Sequence, residues 1–127
     1  MRALIDSKVL FWWYSDPKKL SKPATSILVD ESNSILVSAA TAWELTIKAA
    51  LGKLDALPLV MDLSRYISEE GFAELPITIS QATRAGLLPL HHRDPFDRLL
   101  VAQAQDLNIP IISSDRLLDQ YDVKRLW

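Results

Sequence analysis

Short apolar runs alternate with helix-length stretches along the chain, and this alternation admits very few folds. Residues 2–5 read as a strand that ends at Asp6, residues 35–38 as a second, and residues 109–113 as a third that runs into Ser114 and Asp115. Residues 72–77 are extended as well, with Pro76 suited to an edge strand or its end. Residues 123–127 form a terminal strand. Between them lie predicted helices over 9–14, 21–31 (capped by Ser21), 39–51 (stopped by Gly52), 59–70 (ended by Gly71), 79–87, 95–107 (stopped by Asn108) and 116–121. Residues 53–58 read as a loop. In the 39–51 helix, Ala40, Trp43, Ile47 and Leu51 recur at helical spacing and predict a core face. Leu59, Leu63, Tyr66 and Ile67 do the same in the next. The order implies an α/β fold with a central, mainly parallel sheet, and 127 residues suit one domain, 1–127, with a single core.

In such sheets ligands bind outside the carboxyl ends of the strands. Asp6 and Asp115 fall there. Glu44 lies early in the helix after the second strand, and Asp97 opens the helix that leads into Asp115's strand. Four acids from four separate places thus converge on one edge. The plainer alternative is local. Asp94 suits an N-cap, Pro95 the first helical position and Asp97 the third, so these carboxylates also satisfy free N–H groups and the helix dipole. Glu44 is spaced to pair with Lys48, Asp115 to cap the last helix, and Ser7 to cap the first while steadying Asp6.

Composition narrows the chemistry. There is no cysteine, so disulfides, thiolate zinc sites and cysteine nucleophiles are excluded. Two adjacent histidines are too few for a histidine-rich centre. A metal here would be held by carboxylates, which favours Mg²⁺ or Mn²⁺. The net charge of −2 is not the footprint of a protein that grips nucleic acid by bulk charge. No run is long and apolar enough to span a membrane, and Asp6 interrupts what would be a signal sequence, so a cytoplasmic location is expected.

Clustered carboxylates repel one another and favour protonation unless a cation joins them. A divalent ion resolves this, acidifies water and neutralises a phosphate oxygen. The expected chemistry is metal-assisted hydrolysis of a phosphodiester, with Asp6, Glu44, Asp97 and Asp115 as catalytic metal ligands.

Four segments occur in order over nearly the whole length: Leu4-Ile5-Asp6-Ser7, Ser38-Ala39-Ala40-Thr41-Ala42-Trp43-Glu44, Leu88-Pro89-Leu90-His91-His92-Arg93-Asp94-Pro95-Phe96-Asp97-Arg98, and Ser113-Ser114-Asp115. Together they resemble the PIN-domain ribonuclease toxins of the VapC type. The His-His-Arg-Asp-Pro-Phe-Asp-Arg run is the most specific part. The resemblance implies a PIN-like α/β/α sandwich with the acidic site at the strand carboxyl ends. It also implies an endoribonuclease using Mg²⁺ or Mn²⁺ and inhibited by a VapB-type antitoxin. The family's acids map to Asp6, Glu44, Asp97 and Asp115, with Asp94 as a neighbour and Ser7 as the hydroxyl after the first acid. One departure is Lys8, where many relatives carry histidine; a lysine there holds a phosphate as a point charge or simply neutralises the acids.

Ser7, Lys8, Asp94 and Arg98 complete the expected substrate contacts. Arg93 and Arg98 either meet RNA phosphates or pair with Asp94 and Asp97 at the surface. His91 and His92 either touch RNA or are solvated loop residues. Trp12, Trp13 and Trp43 are expected in the core. Adjacent tryptophans on a helix lie about 100° apart, however, so one of Trp12 and Trp13 is left for a partner: a second copy in a homodimer, or an antitoxin helix. Two other functions compete. A phospho-acceptor signalling domain needs an acid after a mid-chain apolar strand, and Asp55 follows a poor one. A catalytically inactive module that keeps the fold and only binds RNA or a partner would retain metal binding without cleavage.

Overall fold

The computed structural model describes all 127 residues. Five strands, β1 (Arg2–Ile5), β2 (Ser34–Ser38), β3 (Ala73–Leu75), β4 (Ile111–Ile112) and β5 (Arg125–Leu126), form one sheet in the order β3-β2-β1-β4-β5. Every pairing is parallel. Leu4 of β1 stands opposite Leu36 on one side and Ile111 on the other. The edge position expected for the Phe72 segment is that of β3, next to Pro76.

Side chains alternate across the sheet with the period of two. Ala3, Ile5, Ile35, Val37 and Ile112 enter one buried cluster; Leu4, Leu36 and Ile111 enter the other. The first cluster is covered by α1 (Ser7–Ser15), α2 (Lys22–Val29), α4 (Leu57–Met61) and α5 (Leu63–Glu69), through Val9, Leu10, Ala24, Leu59, Leu63 and Ile67. The second is covered by α7 (Pro95–Leu107) through Leu100, Val101 and Ala104, and by a 3-10 turn, Arg116–Gln120, through Leu118. A parallel sheet buried on both faces needs its strands apolar at every position, and β1 is so built: Ala3, Leu4 and Ile5 have no exposed surface. α3 (Ala39–Ala50) and α6 (Ile79–Leu87) complete the helices.

Three expectations need correction. The 59–70 helix is broken at Asp62, whose backbone (φ −140°, ψ 39°) leaves the helical region and divides α4 from α5. In α3 the buried face is Ala40, Thr41, Glu44 and Leu45, whereas Trp43 and Leu51 are 61% and 64% exposed. Periodicity selects the most apolar stripe. The helix instead turns the stripe containing Glu44 inward, because Ser38 caps it straight out of β2 and Leu45 reaches the first cluster. Trp43 lies outside, edge-on to Phe96 at 5.1 Å. Trp12 and Trp13 are both half-buried against the first cluster, beside Trp127 and Phe72 respectively. Neither therefore turns fully outward, and each keeps part of its ring uncovered; the exposed tryptophan is Trp43.

Candidate metal centre

The strand order reverses between β1 and β4, so the crevice of this sheet opens at their carboxyl ends. Asp6 follows β1 and Asp115 follows β4. Asp6, not Ser7, is the N-cap of α1, and its Oδ1 accepts the Val9 N–H at 2.8 Å. Ser7 is the buried first residue of the helix. Asp115 caps the 3-10 turn with Oδ1, which accepts the Leu117 N–H at 3.0 Å, and turns Oδ2 toward His92 Nε2 at 2.7 Å. Asp94 caps α7 by accepting the Phe96 N–H at 2.9 Å, with Asp97 in the first turn behind it. Glu44 accepts the Lys48 ammonium at 2.7 Å through Oε2, while its Oε1 is buried with no partner. For these residues the capping and pairing roles coexist with a place in the site.

The five acids line one cleft of about 500 Å³, together with Ser7, Lys8 and His92. Burial, and then the charges of Asp94, Asp6, Glu44 and Asp115, push the Asp97 carboxyl up to about 8. Burial also raises Asp6, against the lowering effects of the Ser113 hydroxyl, the Val9 N–H and Lys8. The hydrogen bond to Glu44 holds the Lys48 ammonium above its ordinary value.

This donor set fits a divalent cation. A buried carboxylate oxygen without a partner costs at least about 1–3 kcal/mol, and Glu44 Oε1 is such an atom. A carboxyl that burial and crowding keep protonated up to about 8, as they do Asp97, gives its proton up to an ion. The donors are hard carboxylate oxygens, as Mg²⁺ and Mn²⁺ prefer. Carboxylate oxygens of Asp97 and Asp115 lie within 4.8 Å of each other and of a His92 ring nitrogen. We assign the His92 ring proton to Nε2, because Nδ1 accepts the Asp94 N–H at 3.1 Å. In that tautomer the ring donates to Asp115, with Asp97 Oδ2 3.2 Å away.

His92 is the residue that the sequence reading left outside its site. Its neighbours held the signal, since the loop that delivers Asp94 must pass it over the cleft. The loop is pinned there: the His92 N–H donates to the Tyr121 hydroxyl at 2.9 Å, which donates to the Pro89 carbonyl at 2.6 Å.

Arg98 is not brought to the cleft. It is buried, and its guanidinium donates to the carbonyls of Ala85 (2.9 Å), Leu88 (2.9 Å) and Pro89 (3.0 Å). Neither the phosphate contact nor the surface pair with Asp94 or Asp97 is available to it. It closes the carboxyl end of α6 and fixes the loop leading to His92 and Asp94.

A family model described as the PIN domain matches residues 3–124. Ribonuclease VapC22 of Mycobacterium tuberculosis is 30% identical over 119 residues, which are 91% of this chain and 88% of that protein. Among solved structures, VapBC2 of Rickettsia felis bound to a promoter DNA fragment superposes with a TM-score of 0.74 at 12% identity, over 99% of this chain and 98% of that one. VapC20 of Mycobacterium tuberculosis, a toxin that cleaves the sarcin-ricin loop, superposes with a TM-score of 0.69 at 10% identity, over 95% of each chain. At those identities the structural matches bear on the fold.

Proposed function

The chain belongs to the PIN-domain family, among its VapC-type ribonucleases, and from that premise we propose that it is a metal-dependent endoribonuclease serving as the toxin of a toxin–antitoxin pair. The observation that carries this reading is the meeting of Asp6, Glu44, Asp97 and Asp115 in one cleft, where Glu44 keeps a buried oxygen unpartnered. These four residues would hold Mg²⁺ or Mn²⁺. When bound, the ion supplies Lewis-acid chemistry to hydrolysis of an RNA phosphodiester. The protein's own groups do the rest. α1 and the 3-10 turn hold Asp6 and Asp115 rigid through their capping bonds, so the site costs little reorganisation. His92 hydrogen-bonds Asp115 and fixes its direction. Ser7 and Lys8, beside the acids, are placed to meet the substrate phosphate, Lys8 as a point charge. Asp94 supports the site from the cap of α7.

The partners proposed are RNA, a VapB-type antitoxin and a second copy of the chain, all met in the cytoplasm. Toxin–antitoxin complexes among the solved structural relatives support the antitoxin. Exposed Trp43 and Leu51 on α3 support an apolar contact face. No helix is long and apolar enough to cross a membrane.

The deciding experiment incubates purified protein with total cellular RNA in Mg²⁺, in Mn²⁺ and in chelator, with Asp97→Asn alongside. Discrete fragments that need the ion and vanish in the variant are expected. Metal binding with no cleavage under any condition would instead favour the inactive binding module.

A further inference from the structure

We infer that the part of the cleft beyond the carboxylates is a subsite for one unstacked nucleotide of single-stranded RNA, its base on Trp12 and its phosphate between Lys8 and Lys19. This deepens the nuclease reading and rests on it. The cleft is larger than an ion requires. At roughly 30 Å³ per water, an ion with six waters would fill under half of the 500 Å³. The remaining wall is of a different character. Lys8, Phe11 and Trp12 lie on one face of α1 at spacings of three and four, and Leu54 lines the same cleft.

The lysines are not accounted for by the acids alone. Lys48 is committed to Glu44. Neither Lys8 nor Lys19 forms an ion pair with a carboxylate. The Lys8 ammonium lies over the Trp12 ring instead, 5.6 Å from its centroid. Trp127, 6.0 Å from Trp12, supports the ring. A cation resting on an aromatic face beside an anionic cleft is what an entering nucleotide would exchange. The phosphate takes the ammonium, and the base takes the ring. Stacking on an aromatic side chain outweighs a partly exposed cation–π contact, so the exchange favours binding. It is tolerant of base identity, because every base has a π face. It requires an unstacked base, which a continuous A-form duplex does not present. With a net charge of −2, the chain cannot hold RNA by bulk charge, so a local pocket of this kind has to supply the grip.

The test compares AMP with ribose 5-phosphate, which carries a hydroxyl in place of the base, by titration into the intact protein in Mn²⁺. Wild type should bind AMP about tenfold more tightly. Trp12→Leu should bring that ratio close to one without weakening ribose 5-phosphate, because Lys8 is then free of the ring, and Trp12→Phe should retain most of it. Lys19→Ala should weaken both ligands several-fold and keep the ratio. A ratio near one in wild type, a full ratio in Trp12→Leu, or unchanged affinities in Lys19→Ala would each overturn the subsite. RNA cleavage is scored separately. Protein that discriminates the two ligands but cuts no RNA keeps the subsite and loses the nuclease reading. Protein that cuts RNA without discriminating them does the reverse.

Discussion

His92 Nε2 lies 2.7 Å from Asp115 Oδ2, and the same nitrogen is 3.2 Å from Asp97 Oδ2. With its other ring nitrogen accepting the Asp94 N–H, the imidazole acts as a donor that bridges the two carboxyl groups. His92→Ala removes a hydrogen bond to a charged acceptor, worth about 1.5–3 kcal/mol. At roughly 3–5 °C per kcal/mol for a chain of this size, the metal-free protein should melt roughly 5–15 °C lower. The rise in melting temperature on adding Mn²⁺ should be undiminished. Thermal melts with and without Mn²⁺ decide this; a reduced metal response would make His92 a ligand rather than a clamp.

Asp97 sets a pH dependence whose sign is opposite to that of an ordinary paired carboxylate. Its folded-state value is raised from 3.8 to about 8. Between those values the folded protein binds a proton that the unfolded chain has released, so stability falls as pH rises from about 4 to about 8 and levels above. Asp30 and Asp119, both lowered by their hydrogen bonds to Ser32 and Arg125, act in the other direction. The difference between wild type and Asp97→Asn isolates the effect. Without metal, the variant should be the more stable at pH 8 and the two should converge toward pH 4. Urea midpoints across that range measure it, and parallel curves would refute it.

Where local chemistry dictates structure, the sequence was legible. α7 begins at Pro95 behind its Asp94 cap and stops at Asn108 in the left-handed region (φ 53°). α6 runs over the residues its pattern predicts, closed at its start by the reciprocal bonds of Thr78 and Gln81. The acids that meet in the cleft were readable because strand ends in a parallel sheet share an edge. What failed required tertiary knowledge. Nothing in the spacing of α3 says that the stripe with Glu44 turns inward and Trp43 outward. Nothing in a loop histidine says that a buried arginine will hold its loop over two carboxylates. Arg98 was misread for the same reason: charge alone suggested solvent or phosphate, and its three closest partners are backbone carbonyls 9–13 residues earlier in the chain.

Arg98 offers a prediction that separates anchoring from RNA contact. Its buried guanidinium donates to three carbonyls within 3.0 Å. Lysine cannot reproduce that fork. Arg98→Lys should therefore destabilise the protein by about 2–4 kcal/mol and accelerate hydrogen exchange in residues 88–94. The salt dependence of RNA binding should keep its slope. A shallower slope with unchanged stability would mark a phosphate contact.

The two helices that carry Glu44 and Asp97 are joined through Gln103, which is wholly buried. Its Oε1 accepts the Ser38 hydroxyl at 2.6 Å, and Ser38 caps α3. Its Nε2 donates to the Pro76 carbonyl and to Gln81 Oε1, both at 3.1 Å. Gln103→Leu leaves these partners unsatisfied and should cost about 2–3 kcal/mol, read as a lower urea midpoint with an unchanged slope. Gln103→Glu is the sharper probe. An ionised carboxylate still accepts from Ser38 but turns a lone pair toward two further acceptors. Burial and those acceptors favour its protonated form in the folded state, so its deficit relative to wild type should shrink as pH falls from 7 to 5. A deficit that stays constant over that range would show that the buried network tolerates the charge. Gln103 would then serve as packing between α3 and α7 rather than as the donor that sets their spacing.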